Sequence, residues 1–387
     1  MDRHYGLDWL RIGAFALLIF YHVGMVFVPW DFHVKTSHPT EWVAIPMLAA
    51  NSWRLMLLFV VSGYASRALL VKGGHVGGFI GSRSKRLLIP LLFGMAVIVP
   101  LQPWIELMGK HGYAQGFAWF WLHDYFRFGS LEGMILPTWQ HLWFVVYLWI
   151  YTMALAAGLW LARGRSVQPV FDRVFGTVAV VLVPIAWLLF VDMVLLQGAQ
   201  ETHDLFDDPL AHLHYLPGFL FGFALARSGP AMAAIGRWWR PAAVVAALSY
   251  CIVAAIEWRW PGSAMPSPFG AIFAAAHAVQ GWCTIVALIG VAERFWNHDH
   301  PWRKTLTEAV FPFYIVHQTV IVGVEWILLG QNLPAAEEFA ILVAATIAGC
   351  WAFYLLGREI NWLRPLIGLR TKSARPRVND RLSPSGA

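Results

Sequence analysis

Apolar stretches of about twenty residues, separated by shorter polar loops, recur from one end of the chain to the other, at roughly 7–29, 45–70, 87–107, 141–162, 174–197, 210–226, 241–260, 269–292, 309–329 and 338–357. That length crosses the hydrocarbon core of a bilayer as a helix. The pattern therefore predicts an all-α, polytopic membrane bundle of about ten transmembrane helices. It forms one domain over 1–370, followed by a polar, Pro-rich and basic tail, 371–387, whose composition is that of disorder. The segment 210–226 is the shortest of the ten and carries His212, His214 and Pro217.

Composition agrees with this class. The chain is 58% hydrophobic and 13% charged, with 22 Trp and 26 Phe in 387 residues, more apolar surface than a soluble domain can hide. Basic residues give the expected sidedness. With both termini cytoplasmic, 22 Lys and Arg fall on the inner side and four on the outer side, and Arg11 and Arg54 lie within spans. The net charge of +6 then reflects topology and contact with anionic membrane lipids, and gives no reason to expect nucleic acid. No small-x-small cleavage site ends the first apolar run, so it is expected to stay as helix one. Cys251, Cys283 and Cys350 show no paired or metal-ligating spacing and are expected to pack.

Two outer segments stand apart. The aromatic stretch within 108–140 suits a helix in the interface or re-entering the bundle. The run "ETHDLFDDPLAHLH" at 201–214 has no strict zinc spacing and is expected to be a solvated acidic loop, so no metal site is assigned.

The candidate chemistry begins with Arg11 and His22. Eleven residues are about three helical turns, which puts both on one stripe of the first helix, with Phe15 and Leu18 between, about 16 Å apart. Ionisable residues at that depth are costly and mark function by default. An imidazole inside an apolar bundle stays neutral and can act as a general base; a hydrogen bond to Tyr or backbone is the competing role. Arg11 suits a phosphate or carboxylate. Asp8, three residues earlier, is placed to pair with Arg11. Ser62, Gly63 and Tyr64 lie in the cytoplasmic half of the second span, where small residues also serve close helix packing. Arg83 and Arg86 form a basic cluster before the third span, suited to a polyanionic donor such as a coenzyme A thioester. His141 and Trp143 open the fourth span, and His317 lies inside the ninth.

Together these segments resemble the membrane-bound acyltransferase 3 family, in particular its periplasmic glucan succinyl transferase branch. The matching pieces are "LDWLRIGAFALLIFYH" at 7–22, "FVVSGY" at 59–64, "RSKRLLIP" at 83–90, "HLWFVVYL" at 141–148, "HYLPGFLFGFAL" at 214–225 and "FYIVHQTVIV" at 313–322. Many relatives carry an acidic residue after the Trp-Phe pair of the fourth span. Here the stretch reads Val145-Val146-Tyr147-Leu148, which fits the glucan-modifying branch.

The resemblance implies transfer of an acyl group, succinyl or acetyl, from cytoplasmic acyl-CoA to a glycan hydroxyl outside the cell, with no tightly bound cofactor. By position it makes His22 the general base or acyl relay, gives Arg11, Arg83, Arg86 and the Ser62-Gly63-Tyr64 segment to the donor, and leaves Asp8, His141, Trp143 and His317 as acceptor or supporting residues. A bacterial inner membrane location follows from the same resemblance. The rival reading is a transporter or proton-coupled permease, because charged residues in spans also build ion pathways. No internal repeat supports it. A membrane scaffold or sensor using the aromatic outer loop is the non-catalytic alternative.

Overall fold

The structure, a computed structural model, describes residues 5–263 and 265–372, so most of the tail assigned to disorder lies outside the described residues. The helices are α1 (Tyr5–Phe27), α2 (Ala44–Asn51), α3 (Arg54–Gly73), α4 (Val76–Phe93), α5 (Leu101–His111), the short α6 (Phe117–Trp119), α7 (Trp143–Leu161), α8 (Gln168–Phe175), α9 (Ala179–Phe190), α10 (Pro209–Leu225), α11 (Gly229–Arg259), α12 (Ser267–Phe295), α13 (Pro301–Leu328), α14 (Ala335–Glu359) and the single turn α15 (Leu363–Leu366). Among the described residues the bundle is all-α apart from a small hairpin. Leu92, Leu182, Leu248, Ile252 and Leu356 stand exposed on its outside, as lipid-facing side chains do.

Among the described residues seven helices are long and apolar enough to span by themselves, and nine if each of two bent pairs counts as one span. One pair is Val76–Ile98 with Leu101–His111, bent by 42°. Pro100 lies at the bend, where proline removes a backbone donor. In the other, Gln168–Phe175 turns 97° from Ala179–Leu195, so α8 lies across the end of α9. The segment 210–226, expected as one of ten spans, forms α10, whose 17 residues sit at the lower limit for a spanning helix.

Helix α10 earns its place by contact with α3. A Cβ on Gly63 would stand 1.9 Å from the Phe219 carbonyl oxygen, and one on Gly222 would stand 1.9 Å from that of Val60. Each backbone thus occupies the space a side chain would need, which is how small residues bring membrane helices together. Helix α1 packs between α13, α12 and α3, and α11 with α12 and α13 with α14 form the two long helical hairpins.

The segment 108–140 forms α6, a following turn to Asp124, and a hairpin of β1 (Gly129–Leu131) and β2 (Met134–Leu136), with Gly129 opposite Leu136. The Tyr125 hydroxyl ties it down, donating to the carbonyls of Met95 at 2.7 Å and Thr138 at 3.1 Å. The 201–214 segment is more ordered than a solvated loop. Asp208 is fully buried; it caps α10 by accepting from Ala211 N at 3.1 Å and also accepts from the Tyr147 hydroxyl at 2.9 Å. Cys283 and Cys350 are buried as expected, whereas Cys251 is exposed on α11.

Candidate functional site

Helix α1 runs along two cavities, one at each end of the Arg11-to-His22 stripe. The first, about 990 Å³, is lined by Arg11, Arg83, Arg86 and Arg227 together with Ser62 and Tyr64. Its one lining carboxylate, Asp8, pairs with Arg303 of α13 at 3.0 Å; no Asp8–Arg11 ion pair forms among the described residues. The helical spacing allowed that pair, but a tertiary neighbour takes the carboxylate. Arg83 is buried, and among the described residues its Nε and Nη2 have no hydrogen-bond partner, nor has the buried Nε of Arg11. Buried donors are nearly always satisfied, and these guanidinium atoms are left unpaired beside a cavity whose charged lining is mainly cationic.

The second cavity, about 1020 Å³, is lined by His22, His141, Trp143, Arg54 and Gln318 among others. Packing of α1 on α13 brings His22 to His317, with 3.0 Å between His22 Nδ1 and His317 Nε2. The protonation pattern follows from the partners. His317 Nδ1 lies 2.8 Å from the Tyr314 carbonyl oxygen, which can only accept, so Nδ1 carries the proton and Nε2 accepts. His22 therefore donates from Nδ1, and its Nε2 keeps a lone pair. His141 is held in the same way: its Nε2 lies 3.1 Å from the carbonyls of both Tyr314 and Ile315, and its Nδ1 accepts from Gln102 at 3.3 Å. Gln318 then links Gln102, at 3.1 Å, to His33, at 2.9 Å. Trp143 stacks on His203, centroids 4.2 Å apart, and walls the cavity.

Aromatic rings separate the two spaces. Phe144 lines both cavities, Phe15 the basic one and Tyr314 the histidine one. The three pack edge to face, with centroids 6.4 Å apart for Phe15–Phe144, 5.7 Å for Phe15–Tyr314 and 6.1 Å for Phe144–Tyr314. The Tyr314 hydroxyl donates to the His141 carbonyl, which fixes one side of the partition.

The sequence-derived candidates thus divide by cavity. Arg11, Arg83, Arg86, Asp8, Ser62 and Tyr64 line the basic space, and His22, His141 and Trp143 the histidine space. His317 is fully buried behind His22. Gly63 is the exception: its Cα faces Phe219 of α10 rather than a cavity. Sequence reasoning passed over Gln102, Arg54, Phe144 and Arg227. Polarity within a span was the available signal for Gln102 and Arg54. Phe144 gave none, since an aromatic in an apolar helix reads as packing.

The comparisons agree with this architecture. The acyltransferase domain that defines the acyltransferase 3 family matches residues 4–355. Among curated proteins, the glucans biosynthesis protein C of Escherichia coli (strain SMS-3-5 / SECEC) is 28% identical over 151 residues, 39% of this chain and 37% of the relative. That of Shigella boydii serotype 4 (strain Sb227) is 27% identical over 151 residues, with the same coverage. The matched region thus spans little more than a third of these relatives. No solved structure matches the chain. Matched over residues 4–355 by that domain and built as a bundle of long apolar helices, the chain is an integral membrane protein of the acyltransferase 3 family.

Proposed function

We propose that the protein moves an acyl group, succinyl or acetyl, from acyl-CoA to a hydroxyl of a glycan on the opposite side of the membrane. The observation that carries this reading is the pair of cavities along α1, one with guanidinium atoms lacking partners and one with the free Nε2 of His22. The basic cavity takes the phosphates of the donor from the cytoplasm, in line with cytoplasmic termini and a bacterial inner membrane. The thioester arm then passes the Phe144 partition to reach His22.

There the His22 Nε2 lone pair removes the proton from the acceptor hydroxyl as its oxygen attacks the thioester carbonyl. The carbon–sulfur bond breaks, and the same proton passes to the departing thiolate, so no net proton is released. His317 positions His22 by accepting from Nδ1, the part an orienting carboxylate plays in other triads. The same lone pair also suits a relay: Nε2 attacks the thioester carbonyl, the carbon–sulfur bond breaks and the thiolate leaves, and the glycan hydroxyl then displaces Nε2 from the acyl carbon, its proton passing to the thiolate. The glycan acceptor is suggested by the name of the relatives and by the aromatic wall around Trp143, His203 and Trp139.

Purified protein in lipid, given labelled acyl-CoA and envelope glycan, tests the reading. Covalent label on the glycan that disappears in His22→Ala is expected. Label crossing the bilayer unchanged overturns the proposal in favour of transport.

A further inference from the structure

The histidine cavity contains a cation that the transfer step leaves without a task. Arg54 opens α3, just after the two-residue break from α2, and is only 8% exposed. Its guanidinium carbon sits 3.3 Å from the centroid of the Tyr21 ring, and Nη1 donates to the Asn51 carbonyl at 3.4 Å. Nε is buried with no partner among the described residues. Asn51 also donates to the Tyr21 hydroxyl at 2.8 Å, which fixes the ring that carries the charge.

The carboxylates around the cavity are engaged elsewhere. Glu201 accepts from the Tyr215 hydroxyl at 2.7 Å and pairs with His203 at 3.4 Å, and Asp192 pairs with His214 at 2.7 Å. Glu106 pairs with His33 at 2.5 Å, and Glu257 accepts from Gly262 N at 3.3 Å. Among the described residues no carboxylate lies within 4.0 Å of the Arg54 guanidinium. A buried guanidinium without a counter-ion is costly, and its fork matches a carboxylate.

Resting on the function proposed above, we infer that Arg54 reads a carboxylate at the far end of the acyl group, so that the enzyme selects acyl chains that end in an acid. Tyr21 and His22 are neighbours on α1, and their ring centroids are 6.1 Å apart. The guanidinium covers a face of the Tyr21 ring, so an acyl group with its carbonyl carbon at His22 and two methylenes running past the edge of that ring would bring its terminal carboxylate toward Arg54. An acetyl group ends at its methyl and leaves Arg54 unpaired. A site built around a polar group discriminates strongly against an analogue that lacks it. The donor phosphates lie on the other side of Phe144, and neutral sugar hydroxyls bring no compensating charge.

Equimolar succinyl-CoA and acetyl-CoA competing for glycan in one sample give a product ratio that does not depend on how much protein is folded. The wild type is expected to favour succinyl at least tenfold, Arg54→Gln to lose at least a factor of ten in that ratio, and Arg54→Lys to fall between. Should Arg54→Gln fail to insert, the Arg54→Lys ratio decides. A ratio unchanged in these variants, a wild type that favours acetyl, or a variant altered only in its choice of acceptor overturns the Arg54 assignment and leaves acyl transfer standing. A wild type that transfers neither group overturns both.

Discussion

His22 and His317 meet through Nδ1 and Nε2 at 3.0 Å, although 295 residues separate them in the chain. Because His317 gives its own Nδ1 proton to the Tyr314 carbonyl, the dyad has one stable proton arrangement, and it leaves His22 Nε2 bare. Replacing His22 with Ala should lower turnover by about a hundredfold to ten-thousandfold. His317→Ala should lower it less and leave the donor KM unchanged, because it loosens the orientation of His22 without touching the donor. Steady-state kinetics in lipid nanodiscs checks both, and a His317→Ala enzyme with wild-type turnover removes the positioning role.

Arg83 links binding to stability with opposite signs. A partnerless buried charge destabilises the donor-free protein, and a charged hydrogen bond to the donor is worth about 2 kcal/mol. Arg83→Met should therefore raise the Tm of the donor-free protein and raise the donor KM by about tenfold to a hundredfold. A lowered Tm with unchanged KM shows a purely structural arginine.

The Phe144 partition should keep thioester and water apart. Phe144→Ala joins the two cavities, so acyl-CoA hydrolysis without glycan is expected to rise while transfer to glycan falls. Free thiol release measured with and without acceptor reads this directly; equal hydrolysis in wild type and variant excludes the barrier.

Close approach of α3 and α10 leaves no room for a side chain at Gly63 or Gly222. Gly63→Leu should cost at least about 2 kcal/mol and reduce folded yield, as overpacking does in close-packed interiors. Size-exclusion profiles of the solubilised variant show the loss, and a wild-type profile contradicts the contact.

The loop that carries Glu201 should be acid-labile. Burial works against the charged carboxylate, but the hydrogen bonds from Tyr215 and the nearby imidazoles of His203 and His214 outweigh it and hold its pKa down at about 2, against an ordinary 4.5. A depressed carboxylate contributes its full stability above its unfolded pKa and loses it as pH falls through the folded one. Hydrogen exchange across 196–208 should stay slow at pH 5 and quicken between about 4.5 and 2, and Glu201→Gln should abolish that dependence.

The run of apolar segments determined the class of the molecule, because a bilayer demands helices of a given length whatever their neighbours. It also placed Arg11 and His22 on one face of α1, because helical periodicity is local. The basic cluster of Arg83 and Arg86 was legible for the same reason, as short-range charge before a span. What joins His22 to His317, Asp8 to Arg303 and Tyr21 to Arg54 is packing between helices distant in sequence. Lipid surrounds every helix alike and does not say which faces meet. Only the tertiary structure decided that, through the glycine contacts of α3 with α10 and the seating of α1 against α13, and with it which buried cations were left without a counter-ion.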